Sequence, residues 1–158
     1  MTKPSKDIVE KREKLMTMVA EMAKSPSKFS ETMLGHKLYS YNQQYADSKE
    51  RFLIYRSGRQ AGKTMTTAVK TIHWSFFAPI MSKDAKQKKE GVVIIAAPTQ
   101  NQASIMFDRI RTLVSNSDFL KQYIVRSTQT ELWLQWLNKG GITKIYVRAT
   151  GETGVTLR

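Results

Sequence analysis

The chain has 158 residues, with 26 Lys and Arg against 13 Asp and Glu, and a formal net charge of +13. Its hydrophobic content of 41% and charged content of 25% are typical of a globular domain and exclude a wholly disordered chain. The absence of cysteine excludes disulfide scaffolds, zinc–cysteine sites and thiol nucleophiles. No apolar run approaches the ~20 residues that cross a bilayer, and the first 14 residues lack the apolar region of a secretory signal. We therefore expect a soluble, intracellular protein without a membrane partner, whose positive charge favours a polyanion such as nucleic acid.

The N-terminal part of the chain is predicted to be largely helical. Asp7–Lys24 has the periodicity of an amphipathic helix, and the Ser-Pro-Ser sequence that follows is expected to end it. The apolar residues expected to pack in this helix are Ile8, Leu15, Met16, Met18, Val19 and Met22. An irregular stretch then leads to an aromatic segment, Leu38–Tyr45.

The middle of the chain alternates strands and helices, as an α/β protein does. Arg51–Arg56 is a predicted strand because it is rich in aromatic and branched residues, and Val92–Ala97 has the continuous apolar run of a strand buried on both faces. The predicted helices are Lys63–Phe77, ended by Pro79, and Gln102–Leu113. The core-facing side of the second helix is expected to carry Ile105, Met106, Ile110 and Leu113. This order predicts a parallel sheet with right-handed crossovers.

The C-terminal part is predicted to form a β-hairpin. Asn138–Gly141 has the chemistry of a turn, and the residues on either side of it alternate in polarity as strands do. In the first strand, Leu132, Leu134 and Trp136 are expected on one face, with Trp133 and Leu137 on the other. In the second strand, the two alternating sets are Ile142, Lys144 and Tyr146, and Thr143, Ile145 and Val147. Ala149–Arg158 contains no further predicted element.

The loop before the first predicted α/β helix is the most informative feature. It reads Ser57-Gly58-Arg59-Gln60-Ala61-Gly62-Lys63-Thr64, close to the phosphate-binding pattern G-x-x-x-x-G-K-[ST], with a serine where the first glycine normally stands. In such a loop, backbone N–H groups and the N-terminus of the next helix face the phosphates. Lys63 is predicted to reach the β- and γ-phosphates of ATP and Thr64 to ligate Mg²⁺, while Gly58 and Gly62 permit the sharp backbone course. The alternative is an ordinary glycine turn between a strand and a helix.

This loop resembles that of the viral terminase large subunit, the ATPase–nuclease that packages DNA in tailed bacterial and archaeal viruses. The resemblance rests on Gly58–Thr64, because an Arg-Gln pair inside the loop is characteristic of that family. Tyr39–Gln44 resembles the family's adenine-recognising glutamine motif, and Ile95–Ala103 resembles its strand-and-loop motif after the first crossover. The stretch from Asn138 to Arg158 is similar to the lead into the family's Walker B strand.

The resemblance implies an α/β P-loop NTPase fold of the RecA-like type, incomplete here, with a parallel sheet flanked by helices. Residues 1–37 would form an N-terminal helical segment and residues 38–158 a partial ATPase domain. The resemblance further implies that Arg59 acts on the γ-phosphate as an arginine finger and that Gln44, or Gln43 in a shifted register, reads the adenine edge. Plain surface roles are the alternatives for all three side chains. The implied partners are double-stranded viral DNA, the portal, the small terminase subunit and further copies in a ring, in the cytoplasm of the infected host cell.

The chain departs from the family pattern in its acidic residues. ATP hydrolysis of this type needs a strand that ends in acidic residues, which hold Mg²⁺ and orient the attacking water. No apolar run here ends in Asp-Glu, and Glu152 is the only acid near a predicted strand end. We therefore expect the chain to stop before its Walker B motif, to lack the nuclease domain, and to have no appreciable ATPase activity by itself.

Two other functions fit the same residues. The first is another P-loop motor, such as the first domain of a helicase, which sequence beyond Arg158 would distinguish by a second RecA-like domain in place of a nuclease. The second is a fragment that binds DNA or a partner chain and never hydrolyses ATP. Salt-dependent DNA retention without phosphate release would indicate that fragment.

Overall fold

The computed structural model describes residues 6–81, 90–137 and 140–151, which form an α/β structure with a four-stranded mixed sheet. The helices in chain order are α1 (Lys6–Lys24), α2 (Pro26–Met33), α3 (Ser40–Asp47), α4 (Lys63–Met81) and α5 (Gln100–Asn116), and a short 3₁₀ helix spans Leu120–Tyr123. The strands are β1 (Glu90–Ala97), β2 (Ile124–Ser127), β3 (Glu131–Gln135) and β4 (Ile142–Ala149). The predicted α/β class is confirmed.

The sheet has the strand order β1-β4-β3-β2. β1 runs parallel to β4, with Ile94 opposite Tyr146, whereas β3 is antiparallel to both β4 and β2. The predicted parallel pairing is present between β1 and β4, but the sheet as a whole is mixed, because β3 of the hairpin runs antiparallel to both of its neighbours. The hairpin itself is confirmed, with Leu132 opposite Ile145.

The core lies between the sheet and one layer of helices. α4 and α5 pack on each other and on the sheet, and α2 joins the same core through Phe29. The largest fully buried side chains include Phe29, Phe76, Phe107, Leu132, Leu134 and Ile145. The residues of the hairpin strands alternate between two faces as predicted, and the structure buries one of these two sets, which includes Leu132, Leu134 and Ile145.

The other face of the sheet is uncovered in the described part of the chain. On β1, Val93 and Ile95 pack against the core, but Val92 and Ile94 are 53% and 57% exposed. The prediction that this strand is buried on both faces is therefore wrong. The apolar run reflects a strand in a two-layer arrangement, with helices on one side only among the described residues.

The segment Arg51–Arg56 is not a strand. No described strand pairs with it, and Phe52 and Ile54 are exposed. Aromatic and branched residues favour an extended backbone, yet a strand forms only where a neighbour completes the hydrogen-bond ladder. The predicted strand before the glycine-rich loop is thus contradicted.

Two short helices were not predicted. The Ser-Pro-Ser sequence ends α1 as expected, but it also starts α2, since Ser25 accepts the N-cap bond from the Lys28 N–H and Pro26 lies in the first turn. The aromatic segment that follows forms α3. In α1, Met22 is buried, because only the end of this helix reaches the core. The other predicted packing residues whose side chains are described are exposed: Leu15, Met16, Met18 and Val19.

Helices α4 and α5 also differ from their predicted course. α4 continues through Pro79 to Met81. α5 begins at Gln100, where Thr99 accepts a capping bond from the Gln102 N–H. The buried side of α5 carries Ala103, Phe107, Ile110 and Val114, and Ile105 is 65% exposed. Of the predicted residues, Ile110 is fully buried, Met106 and Leu113 are partly buried against the core, and only Ile105 points away from it.

No described helix has the length and apolar character to cross a membrane.

Candidate functional site

The glycine-rich loop at residues 57–62 leads directly into α4, which begins at Lys63. The helix starts firmly, because the Gly62 carbonyl accepts bonds from both the N–H and the hydroxyl of Thr66, each at 2.9 Å. The first N–H groups of a helix have no partner within it, and the helix dipole makes this end favourable for an anion. The loop therefore leads into a helix start, as a phosphate-binding loop does, but no described strand precedes it.

The backbone of the loop alternates in handedness. Gln60 has φ +60° and Gly62 has φ +79°, whereas Ala61 between them does not have a positive φ. Such alternation turns successive N–H groups towards one side and can create a concave anion-binding backbone. Gly58 does not have a positive φ, so the expected sharp course is produced by Gln60 and Gly62 and not by Gly58.

The ammonium group of Lys63 lies over the beginning of the loop. Its Nζ donates to the Ser57 carbonyl at 2.7 Å and to the Gly58 carbonyl at 2.5 Å. An ammonium has three N–H donors, so these two bonds orient the group and leave one donor for a further acceptor. The structure thus brings three of the predicted loop residues together around one positive charge.

The hydroxyl of Ser57 gives a second indication of an anion site. Its Oγ is buried and has no hydrogen-bond partner. A buried hydroxyl without a partner is costly, and a phosphate oxygen is an acceptor that would satisfy it. Together with Lys63, this hydroxyl makes the loop chemically suited to a triphosphate.

The remaining predicted loop side chains face solvent. Arg59, Gln60 and Thr64 are exposed, and Thr64 is the second residue of α4. Thr64 could offer one oxygen to a divalent cation beside a bound phosphate. No cluster of three or more His, Asp or Glu that could hold a metal occurs among the described residues. Glu152, the acid near a predicted strand end, lies outside them.

The two candidate adenine-reading glutamines lie on α3. The Gln43 side chain donates to the Leu38 carbonyl at 2.9 Å, which uses one of the two N–H donors of its amide within its own segment. Gln44 is exposed. No hydrogen bond joins either side chain to the loop within the described residues, so the adenine contact stays a prediction.

The residue of α3 that does reach the loop is Asn42, which the sequence reasoning missed. It is 1% exposed, and its Nδ2 donates to the Ala61 carbonyl at 3.1 Å. It lies about 200° around the helix from Gln44, since each residue turns an α-helix by about 100°. A polar residue on the buried side of a short helix was the signal that could have identified it.

Lysine and aspartate side chains tie α3 to its neighbours. Lys70 of α4 donates to the carbonyls of Ala46 and Ser48, both at 2.7 Å, and so caps the C-terminal end of α3. Burial lowers the pKa of the Lys70 ammonium, and the Asp47 carboxylate partly opposes this shift. Asp47 in turn accepts bonds from the hydroxyl and N–H of Ser27 at 2.6 and 2.9 Å. α3 is therefore fixed to both α2 and α4.

A separate cleft of about 620 Å³ lies between the start of α2, the segment after α3 and the middle of α4. His73 lies on its wall, with Nε2 2.9 Å from the Met22 carbonyl, and Trp74 beside it is exposed. Burial lowers the pKa of the His73 imidazole, while the hydrogen bond to Met22 partly counters the shift. The cleft contains none of the predicted loop residues.

No family model matches the chain, and no curated protein matches it at the significance required.

Proposed function

We propose that this chain is the N-terminal, ATP-binding portion of a terminase-like motor that packages double-stranded viral DNA. The observation that carries the proposal is the Lys63 ammonium, held by the Ser57 and Gly58 carbonyls at the point where α4 begins. A positive charge oriented beside the free N–H groups of a helix start is suited to the phosphates of a nucleotide. The Arg59-Gln60 pair within this loop is what favours a terminase over other P-loop proteins.

Each residue of the loop has a distinct proposed role. Lys63 binds the β- and γ-phosphates, the backbone around Gly62 supplies N–H donors, and Thr64 offers its hydroxyl to Mg²⁺, which would neutralise phosphate charge. Arg59 is exposed at the tip of the loop, where it could turn towards a γ-phosphate. Gln44, or Gln43, reads the adenine edge in this proposal.

The net charge of +13 supports a DNA partner, because basic residues that neutralise phosphates release condensed counterions. The portal, the small terminase subunit, a ring of identical copies and the cytoplasm of the infected cell belong to the same proposal. Their support is the resemblance of the loop alone.

The test is equilibrium binding of a fluorescent ATP analogue to the parent chain and to Lys63→Ala. Charge-assisted hydrogen bonds contribute about 1.5–3 kcal/mol, so we expect the variant to bind about 10- to 100-fold more weakly. Lys37→Ala, which removes an exposed lysine from the segment before α3, is the matched control and should bind like the parent. Equal binding by Lys63→Ala and the parent would reject the phosphate-loop assignment.

A second measurement addresses the nucleic acid. In gel shifts at increasing salt, a packaging motor should retain duplex DNA in preference to a single strand of the same length. A clear preference for single strands would favour the helicase alternative. Salt-dependent DNA retention without ATP-analogue binding would favour the fragment that only binds DNA.

A further inference from the structure

Asn42 is almost fully buried beside the glycine-rich loop, where a polar side chain must find partners. Its Nδ2 donates to the Ala61 carbonyl at 3.1 Å, and its Oδ1 accepts a bond from the Tyr55 hydroxyl. Because the Ala61 carbonyl can only accept a hydrogen bond, the NH2 end of the Asn42 amide must face the loop. Asn42 therefore connects α3, the segment before the loop and the loop itself.

The same amide limits what can occupy position 62. A Cβ added to Gly62 would lie 2.7 Å from the Asn42 Nδ2, and the φ of +79° is one that side-chain-bearing residues rarely adopt. Asn42 thus contacts the loop at two consecutive residues, at a carbonyl oxygen and at the bare face of a glycine.

Asn42 is itself held in place. Tyr45, one turn along α3, stacks on the ring of Tyr55, with centroids 4.2 Å apart. Lys70 fixes the C-terminal end of α3 to α4, the helix that begins at the loop. The amide therefore projects towards the loop from a helix with little freedom to shift.

We propose that Asn42 is a positioning residue that sets the orientation of the Ala61–Gly62 peptide for phosphate binding. In a trans peptide the carbonyl and the following N–H point in opposite directions. Because Asn42 binds the Ala61 carbonyl, the Gly62 N–H is directed away from α3, on the side where the loop can meet an anion. This inference rests on the proposed function of the loop and names a residue outside it that determines its affinity.

The experiment compares three proteins in the same ATP-analogue titration: the parent, Asn42→Ala and Ser30→Ala. Ser30 is the matched control, because it is also a buried polar helix residue, and its hydroxyl bonds the His36 carbonyl at 2.6 Å without touching the loop. Asn42→Ala should bind about tenfold more weakly, as expected for a lost hydrogen bond and a loosened peptide, and Ser30→Ala should bind within twofold of the parent. Circular dichroism confirms that each protein is folded at the temperature used.

A double-substitution test strengthens the assignment. Gly62→Ala should weaken binding because its Cβ meets the Asn42 amide. In the Asn42→Ala background the same change should reduce affinity less. The fold-loss of affinity in the double variant should therefore be smaller than the product of the two single fold-losses. Losses that multiply fully, or equal losses in Asn42→Ala and Ser30→Ala, would overturn the positioning role. If Asn42→Ala does not fold, Tyr55→Phe removes one bond from the same amide and should weaken binding about threefold, and unchanged binding there would also overturn it.

Trypsin cleavage after Arg59 provides a readout that does not depend on nucleotide. Arg59 is exposed in the loop, so its cleavage rate, resolved by mass spectrometry, reports how firmly the loop is held. The rate should rise in Asn42→Ala and not in Ser30→Ala. If the parent binds no ATP analogue, the proposed function fails. The rate of trypsin cleavage after Arg59 then tests by itself whether Asn42 positions the loop.

Discussion

The Thr143 hydroxyl of β4 donates a hydrogen bond to the Ser75 carbonyl of α4, at 2.9 Å. Pro79, four residues further along the helix, has no N–H, so this carbonyl lacks its helical partner. The Trp136 indole N–H donates to the same Thr143 oxygen at 2.9 Å, which orients the hydroxyl. The sheet thus supplies the bond that proline removes, and this explains why α4 continues through Pro79 when the sequence predicted that it would stop.

Thr143→Val should destabilise the protein by about 1–3 kcal/mol, because it leaves the Ser75 carbonyl buried without a donor. Urea unfolding followed by circular dichroism measures the change. Pro79→Ala restores a backbone N–H to the helix, so Thr143→Val should cost less in a Pro79→Ala background. Thr112→Val, at an exposed position of α5, is the control and should change stability by less than about 0.5 kcal/mol. An undiminished cost of Thr143→Val in the Pro79→Ala background would contradict the role given to this bond.

Phe107→Ala and Ile105→Ala test the orientation of α5. Phe107 is fully buried, so Phe107→Ala should lower the free energy of unfolding by about 3–5 kcal/mol. Ile105 is exposed, so Ile105→Ala should lower it by less than about 0.5 kcal/mol. Chemical denaturation of both variants provides the comparison. Equal losses would mean that the helix presents Ile105 to the core, as the sequence pattern predicted.

If the proposed function is right, Arg59→Ala should separate ATP binding from catalysis in a chain that is completed through a Walker B strand. An arginine that stabilises charge developing in the transition state contributes about 10³–10⁵ in rate, so kcat should fall by orders of magnitude while ATP affinity changes little. Steady-state phosphate release and ATP-analogue titration measure the two effects. Arg56→Ala removes another exposed arginine just before the loop and is the matched control. A modest loss of turnover, similar to that of the control, would mean that Arg59 is a surface residue without a role in catalysis.

His73 should make stability depend on pH. Burial lowers its folded-state pKa below the ordinary value of 6.5, so below that value the unfolded chain binds more protons than the folded one. The free energy of unfolding should therefore fall as the pH decreases through 6.5, and level off once the pH is below the folded-state pKa. His73→Gln keeps a donor for the Met22 carbonyl but does not titrate. Thermal unfolding between pH 8 and pH 5 should show a difference in Tm between the parent and His73→Gln that narrows as the pH decreases. Parallel curves of Tm against pH would contradict this assignment.

Periodicity along the chain was sufficient to predict the features that depend on local order. The helical repeat predicted α1 and α4 with nearly their observed starts, and the alternation in the hairpin placed Leu132 and Leu134 on one face and Trp133 on the other. The pattern from Ser57 to Thr64 identified the candidate loop, because its glycines and lysine occur at fixed spacings in the chain. These signals are local since the geometry of a helix or strand sets which neighbours share a face.

Contacts between distant residues decided the rest. Arg51–Arg56 has the composition of a strand, but no described strand lies beside it. Ile94 has an apolar side chain of the kind usually buried, but no helix covers it in the described part of the chain. The bond from Thr143 kept α4 intact beyond the point where Pro79 predicted its end. Asn42 reaches the loop across 19 positions of sequence. Neither periodicity nor motif spacing contains such contacts, because burial and hydrogen-bond pairing are satisfied only when separate elements pack together.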